Sequence, residues 1–138
     1  MDREGFVDAL NEDLKTEFRS IVQYVQHIAV VTGAEFMSTV DELRLHVAQE
    51  LTHALVLAEQ IEFLGGVPTT EVPSAPSETD SRRALELDLE LETAQLTRYR
   101  DRTAQALELT LADVGEALRP LLEQTQEHVR DLRAALGQ

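Results

Sequence analysis

Apolar side chains recur every three to four residues along most of the chain, which is the pattern of the buried stripe of an amphipathic helix. In the first such segment the stripe contains Phe6, Leu10, Leu14, Phe18, Ile21, Val25 and Ile28. The pattern predicts four long helices, over residues 4–32, 36–64, 80–109 and 113–136. We therefore predict an all-α fold in a single domain that covers residues 1–138.

The third predicted helix begins with a strict alternation of leucine and acidic residues between Leu85 and Glu92, which also fits a strand. Leucine and glutamate favour helices and lack branching at Cβ. The helical spacing also continues through Leu96 and Tyr99, so we predict a helix. Pro120 lies inside the fourth predicted helix and is expected to kink it.

The lengths of the connections predict how the helices are arranged. Short turns join helices one and two and helices three and four, so each pair is expected to form an antiparallel hairpin. Residues 65–79 form the one long connection and contain three of the four prolines. About 15 extended residues reach roughly 50 Å, enough to run along a helix of roughly 42 Å. This predicts a four-helix bundle with one long crossover; a mobile linker between two hairpins is the alternative.

Polar side chains interrupt the apolar stripes near the middle of each predicted helix, at similar distances from the turns. A buried charge must be paired or coordinated, and carboxylates together with imidazoles suit iron, manganese or zinc. Glutamate and histidine three residues apart, as in Glu50 and His53, lie on one face of a helix. The sequence therefore predicts a metal site inside the bundle, formed by Glu17, Glu50, His53, Glu92 and His128.

Several neighbouring side chains are weaker candidates. His46 lies one turn before Glu50 and is a further candidate metal ligand, with a position on the flank of the helix as the alternative. Tyr24 is expected to hydrogen-bond a ligand carboxylate or to supply an electron; a purely structural aromatic is the alternative. Tyr99 is predicted to be core packing. We expect a solvated face for the acidic residues Glu86, Asp88 and Glu90.

Charge and composition narrow the classes of function. The chain has 12 basic and 26 acidic residues, a formal charge of −14. Such a surface repels nucleic acid and attracts cations, although acidity also serves solubility alone. The absence of cysteine excludes thiolate metal sites and disulfides. We see neither a secretory signal nor a membrane-spanning stretch, and we expect a cytoplasmic protein.

Three segments carry a resemblance to a known family along nearly the whole chain. They are residues 10–17 with Gln23 and Tyr24, residues 50–54 followed by 63–68, and residues 88–92. The sequence resembles a bacterioferritin-type member of the ferritin-like di-iron superfamily. The resemblance implies that Glu50 bridges two metal ions and that His53 and His128 bind one ion each. It also implies Glu17 and Glu92 as terminal ligands.

The sequence departs from this family pattern in three places. Thr125 stands where the family has a second bridging glutamate, so we expect one or two ions. Leu51 stands where the family has its haem-ligating methionine, so no haem is expected. The short fifth helix of cage-forming relatives is missing, which predicts a dimer rather than a full storage shell, although a larger homo-oligomer stays open. Leu87 and Leu91 are candidate contact residues.

The resemblance implies an iron protein that binds Fe(II), oxidises it with O₂ and takes part in iron storage or handling. The gap at Thr125 leaves an alternative open, an oxygen-activating non-haem iron enzyme that acts on an organic substrate. A third hypothesis is a non-catalytic scaffold or cargo subunit. The expected partners are metal ions, O₂ and further copies of the chain, without nucleic acid or membrane.

Overall fold

The computed structural model describes residues 1–138 and consists of four long helices without strands. Their bounds are α1 Arg3–Val30, α2 Met37–Phe63, α3 Ser81–Glu108 and α4 Ala112–Ala135. A single 3₁₀ turn, Ala34–Phe36, precedes α2. The alternating leucine and acidic stretch is helical, as predicted, and α4 continues without interruption through the exposed Pro120.

Each helix packs against two others: α1 contacts α2 and α3, and α4 contacts α3 and α2. Helices α1 and α3 are antiparallel. Glu17 of α1 contacts Gln95 of α3, and Gln23, which comes later in α1, contacts Asp88, which comes earlier in α3. Helix α3 therefore begins at the end of the bundle where α1 ends. This is the predicted bundle with one long crossover.

The crossover is held along α1 by side-chain hydrogen bonds near both of its ends. Asn11 binds the backbone of Val67 and Thr69, whereas Gln26 binds Ser77 and Glu78. Residues 64–80 thus follow α1 from its beginning to its end. No helix of the bundle carries an apolar stretch that could cross a membrane.

Local sequence signals fix the ends of the helices. The carboxylates of Asp2 and Asp80 accept hydrogen bonds from the first-turn backbone N–H groups of α1 and α3. Helix α2 ends at Phe63. Gly65 follows with a φ of +87°, which favours glycine, and the Gly66 N–H bonds back to the Ile61 carbonyl. These signals set the lengths of the helices and thereby the height of each inward-facing side chain.

The apolar core forms two clusters, one toward each end of the bundle. One cluster contains Phe6, Leu14, Leu57 and Leu118, and the other contains Leu43, Leu85 and Leu132. Between them lies a buried polar layer, at most 1% exposed, made of Glu17, Glu50, His53, Glu92, Thr125 and His128. Because burial of unpaired polar groups is costly, this layer requires a compensating ligand or hydrogen-bond network.

Candidate metal centre

The five predicted ligands come together in two groups that share one residue. Glu17, Glu50 and His53 form the first group; Glu50, Glu92 and His128 form the second. Within each group one potential ligand atom per residue lies within 4.8 Å of the others. The arrangement offers two adjacent cation positions with the Glu50 carboxylate between them.

Both histidines turn Nδ1 toward the carboxylates. His53 Nδ1 lies 3.8 Å from Glu17 Oε1 and 3.6 Å from Glu50 Oε2. His128 Nδ1 lies 2.9 Å from Glu50 Oε1 and 3.3 Å from Glu92 Oε1. The same imidazole nitrogen therefore faces the centre from α2 and from α4.

Four atoms of the cluster are buried and have no hydrogen-bond partner: Glu17 Oε2, Glu50 Oε1, His53 Nδ1 and Glu92 Oε2. Each belongs to a different candidate ligand. Metal ions such as iron, manganese and zinc bind both carboxylate oxygen and imidazole nitrogen. The residues present thus fit a pair of such ions, which would satisfy the unpartnered atoms.

The electrostatics of the cluster also favour a cation. Burial, reinforced by the negative charges of Glu17 and Glu92, raises the pKa of Glu50 well above its ordinary value. Burial acts the same way on Glu17, but interactions with Glu50 and with the nearby His53 imidazole outweigh it and lower the pKa of Glu17 to about 2. Without a metal, the carboxylates therefore depend on protons held at Glu50 and His53.

Two glutamines that sequence reasoning missed orient the histidines. His53 Nε2 donates to Gln124 Oε1 over 2.7 Å, and His128 Nε2 donates to Gln49 Oε1 over 2.6 Å. A donor role for Nε2 leaves Nδ1 as the nitrogen with a free electron pair. Such partners commonly fix the orientation of metal-binding histidines. Their signal in the sequence is the placement of each glutamine four residues before a histidine.

Two buried tyrosines hold the terminal carboxylates across the bundle. Tyr24 of α1 donates to Glu92 Oε1 over 2.7 Å, so the predicted hydrogen bond to a carboxylate of the candidate centre is present. Tyr99 of α3 donates to Glu17 Oε1, although it was expected to be core packing only. Burial, followed by the charges of Glu92 on Tyr24 and of Glu17 on Tyr99, raises both tyrosine pKa values well above the ordinary range.

The two hairpins carry matching residues in and around the centre at a constant offset of 75 positions in the sequence. The matching pairs are Asp13 and Asp88, Glu17 and Glu92, Tyr24 and Tyr99, Gln49 and Gln124, and His53 and His128. The tyrosine and glutamine contacts are reciprocal between the hairpins. An approximate two-fold rotation therefore relates the α1–α2 hairpin to the α3–α4 hairpin.

The polar layer departs from this internal symmetry at Glu50, whose counterpart is Thr125. Thr125 is fully buried, and its hydroxyl donates to the carbonyl of Leu121 on the same helix over 2.7 Å. Thr125 is thus buried three residues before His128 on α4, with its hydroxyl hydrogen directed to the backbone.

His46 lies beside the centre but outside the two ligand groups. Its ring stacks on His128, with 3.9 Å between the ring centroids. Its Nε2 lies 3.1 Å from Asp131 Oδ2 and its Nδ1 lies 3.5 Å from the Tyr24 hydroxyl. Coordination by His46 therefore stays a prediction, and the observed contacts are those of a neighbour that supports His128.

The prediction of a solvated face was wrong for Asp88. Asp88 is fully buried and lies 2.7 Å from His27 Nδ1, while Gln23 donates to the same carboxylate oxygen. Burial raises the pKa of Asp88 despite these hydrogen bonds. The symmetric position, Asp13, is also buried and pairs with Arg102 at 2.8 Å. The signal for both is an aspartate four residues before a terminal glutamate.

Comparison with known proteins agrees with this architecture. The ferritin-like domain family matches residues 7–138. A crystal structure from Bacillus anthracis str. Ames, described as ferritin-like and diiron-carboxylate, is 30% identical with a TM-score of 0.91 over 99% of this chain and 98% of that chain. The bacterioferritin-related dodecameric thioferritin from Bacteroides fragilis is 26% identical with a TM-score of 0.84 over 99% and 87%.

No functionally curated protein matches the sequence. The family match nevertheless extends over nearly the whole chain, and the similar solved structure is superimposable along its full length. Both agree with the four-helix bundle described above. The chain belongs to the ferritin-like domain family.

Proposed function

We propose that this protein binds Fe(II) at Glu17, Glu50, His53, Glu92 and His128 and oxidises it with O₂, as a step in iron storage or handling. The observation that carries the proposal is the pair of buried ligand groups that share Glu50 and retain unpartnered ligand atoms. The acidic surface, with a formal charge of −14, supports it by attracting cations toward the bundle.

Iron is proposed over manganese and zinc because of the relatives. The similar protein from Bacillus anthracis is described as a diiron-carboxylate protein, and that from Bacteroides fragilis as a thioferritin related to bacterioferritin. The Glu50-x-x-His53 motif also supports a place near the bacterioferritin-type members. Haem is not part of the proposal, since Leu51 offers no axial ligand.

The residues of the chain have separate roles in this proposal. Each Fe(II) ion gives up one electron, and O₂ accepts the electrons together with protons. Gln49 and Gln124 keep Nδ1 of the two histidines toward the ions. Tyr24 and Tyr99 hold Glu92 and Glu17 in place, and Tyr24 is the residue that we propose to relay an electron. Glu50 releases its proton when the cations bind.

Burial of the centre favours oxidation of a small ion over oxidation of an organic substrate. Thr125, where an organic substrate was considered to enter, is fully buried, as are the five ligands. A non-catalytic scaffold or cargo role predicts instead that the purified protein takes up no metal when it is soaked with iron.

The proposal is tested by measuring the absorbance of Fe(III) after two equivalents of Fe(II) are mixed aerobically with the protein. Glu50→Ala removes the carboxylate that both ligand groups share. Glu62→Ala removes an exposed carboxylate from the same helix and serves as the control. We expect slow oxidation, close to that of free Fe(II), in Glu50→Ala and the wild-type rate in Glu62→Ala. Equal rates in wild type and Glu50→Ala contradict the proposal.

We further propose that copies of the chain associate through the outer face of the α1–α2 hairpin. Of the two leucines expected to contact another copy, Leu91 is buried within the chain and Leu87 is half-buried, so neither offers a fully exposed surface. On the α1–α2 face the exposed apolar residues are Val22, Val25, Leu51 and Leu55. A contiguous exposed apolar face is a common sign of an interface.

The internal symmetry supplies a control for this surface. The positions 75 residues later carry Thr97, Arg100, Gln126 and Arg130, all exposed. Arg100 and Gln126 line one groove between α3 and α4, and Val25 and Leu51 hold the matching positions in the α1–α2 hairpin. At these four pairs of positions the exposed side chains are apolar on the α1–α2 hairpin and polar or charged on the α3–α4 hairpin, so the α1–α2 face is the one that we propose for a second copy.

A further inference from the structure

We propose that an external anion with a carboxylate group, such as formate or bicarbonate, completes the metal centre at Thr125. This inference rests on the proposed metal binding and adds a second ligand to the same site. It predicts that tight metal binding requires a small anion in addition to the five ligand residues.

The internal symmetry defines what is missing. Two of the three residues of the first ligand group have a chemically identical counterpart in the α3–α4 hairpin at an offset of 75 positions: Glu17 has Glu92, and His53 has His128. The position that corresponds to Glu50 is occupied by Thr125, which cannot bridge two cations as a carboxylate does. The symmetric bridge to Glu50 is therefore absent from the chain.

The threonine does not supply a substitute. The Thr125 hydroxyl donates its hydrogen to the Leu121 carbonyl over 2.7 Å, as hydroxyl groups inside helices often do. A neutral hydroxyl is also a weak ligand for hard divalent cations, which prefer carboxylate oxygen. The position consequently offers a short side chain within the polar layer and no negative charge.

Charge balance favours an anion rather than water at this position. The carboxylates of Glu17, Glu50 and Glu92 together carry three negative charges. Two divalent cations carry four positive charges, so one positive charge is left over. The layer is buried, and an uncompensated charge in a buried site is strongly unfavourable. One monovalent anion restores neutrality for the pair of divalent ions.

The size of the anion follows from the two side chains. The atoms of a glutamate beyond Cγ are those of a carboxylate group, and threonine lacks them. Formate and bicarbonate supply this group with few additional atoms. Since Thr125 and the five predicted ligands are buried, we expect only a small anion to fit.

The test measures metal affinity rather than catalysis. Co(II) binding to metal-free protein is followed by calorimetry and by the visible absorption of the ion, with formate, with formamide as a neutral analogue, and with chloride at equal ionic strength. Two ligands that stabilise each other typically change each other's affinity by about tenfold. We expect that formate strengthens Co(II) binding to the wild type by about this factor, and that formamide and chloride do not.

Thr125→Glu supplies the missing carboxylate from the chain. We expect this variant to bind Co(II) tightly without formate and to lose the response to formate. Circular dichroism checks its fold; if it does not fold, the wild-type comparison between formate and formamide decides alone.

Two results overturn the inference: a wild-type Co(II) affinity that formate does not change, or a formate response that is equally large in Thr125→Glu. Complete failure to bind Co(II) under all conditions overturns the proposed metal site as well. Tight Co(II) binding without any effect of formate overturns only the anion.

Discussion

His53 of α2 donates a hydrogen bond from Nε2 to Oε1 of Gln124 of α4, over 2.7 Å, and thereby turns Nδ1 toward Glu17 and Glu50. The contact joins the two hairpins at the height of the metal centre. Gln49 makes the matching contact with His128. The orientation of both imidazole rings is thus set by two glutamines that are not themselves candidate ligands.

Loss of this contact is expected to weaken metal binding without loss of a ligand. In Gln124→Ala, His53 is free to rotate, and removal of such a partner typically lowers metal affinity by about 10–100-fold. Calorimetric titration with Co(II) measures the change. Gln126→Ala, an exposed glutamine on the same helix, is the control and should bind as the wild type does. An unchanged affinity in Gln124→Ala would show that the hydrogen bond does not orient the ligand.

The two tyrosines allow a structural role to be separated from a redox role. Tyr24→Phe and Tyr99→Phe each remove a buried hydrogen bond to a carboxylate. Each should therefore lower the free energy of unfolding by about 1–3 kcal/mol. If Tyr24 relays an electron, Tyr24→Phe slows Fe(II) oxidation more than Tyr99→Phe does. Stopped-flow absorbance measures both rates, and equal slowing would contradict the relay.

The raised pKa of Glu50 predicts how the stability of the metal-free protein depends on pH. Burial and the charges of Glu17 and Glu92 raise this pKa in the folded state. The folded state therefore holds the Glu50 proton more tightly than the unfolded state does. The resulting stabilisation is complete below the pKa of Glu50 in the unfolded state, and it is lost as pH rises through the pKa in the folded state.

Glu50→Gln has a neutral side chain at every pH. Its free energy of unfolding therefore does not decrease with rising pH in the way that we expect for the wild type. The free energy of unfolding of Glu50→Gln minus that of wild type should increase as pH rises from about 5 to about 8. Urea denaturation of the metal-free proteins measures it, with the exposed Glu62→Gln as control. Parallel curves for Glu50→Gln and wild type would show that Glu50 is ionised throughout this range.

The apolar face of the α1–α2 hairpin predicts that polar substitutions separate the copies. Leu51→Gln and Leu55→Arg introduce the residues found at the symmetric positions Gln126 and Arg130, where the same fold tolerates them at the surface. Self-association should weaken by about tenfold or more for each variant, as measured by analytical ultracentrifugation. Leu107→Gln changes an exposed leucine of α3 and should leave the association state unchanged.

The sequence predicted the helices and the height of the ligands because helical periodicity determines both. Glu17 and Glu50 lie at similar distances from the first turn. An antiparallel hairpin is therefore enough to bring the two side chains to the same height. Gln124 and Tyr99 could not be assigned in this way. Gln124 lies on the flank of α4, and only the packing of α4 against α2 brings it to His53.

Asp88 was missed for a different reason. It lies in a run of alternating leucine and acidic residues, and two acidic residues of that run, Glu86 and Glu90, are half-buried and exposed, respectively. Its burial depends on His27, which comes from α1, 61 positions earlier in the sequence. Pairing across helices of this kind follows from the bundle topology and the internal symmetry rather than from local periodicity.

Anomalous diffraction at the iron edge, from crystals grown with Fe(II), tests the central claim most directly. The account predicts two peaks inside the bundle, one bounded by Glu17, Glu50 and His53 and the other by Glu50, Glu92 and His128. Crystals of Glu50→Ala should lose both peaks or retain one at reduced occupancy. Iron found only at the acidic surface, with an empty centre in the wild type, would contradict the account.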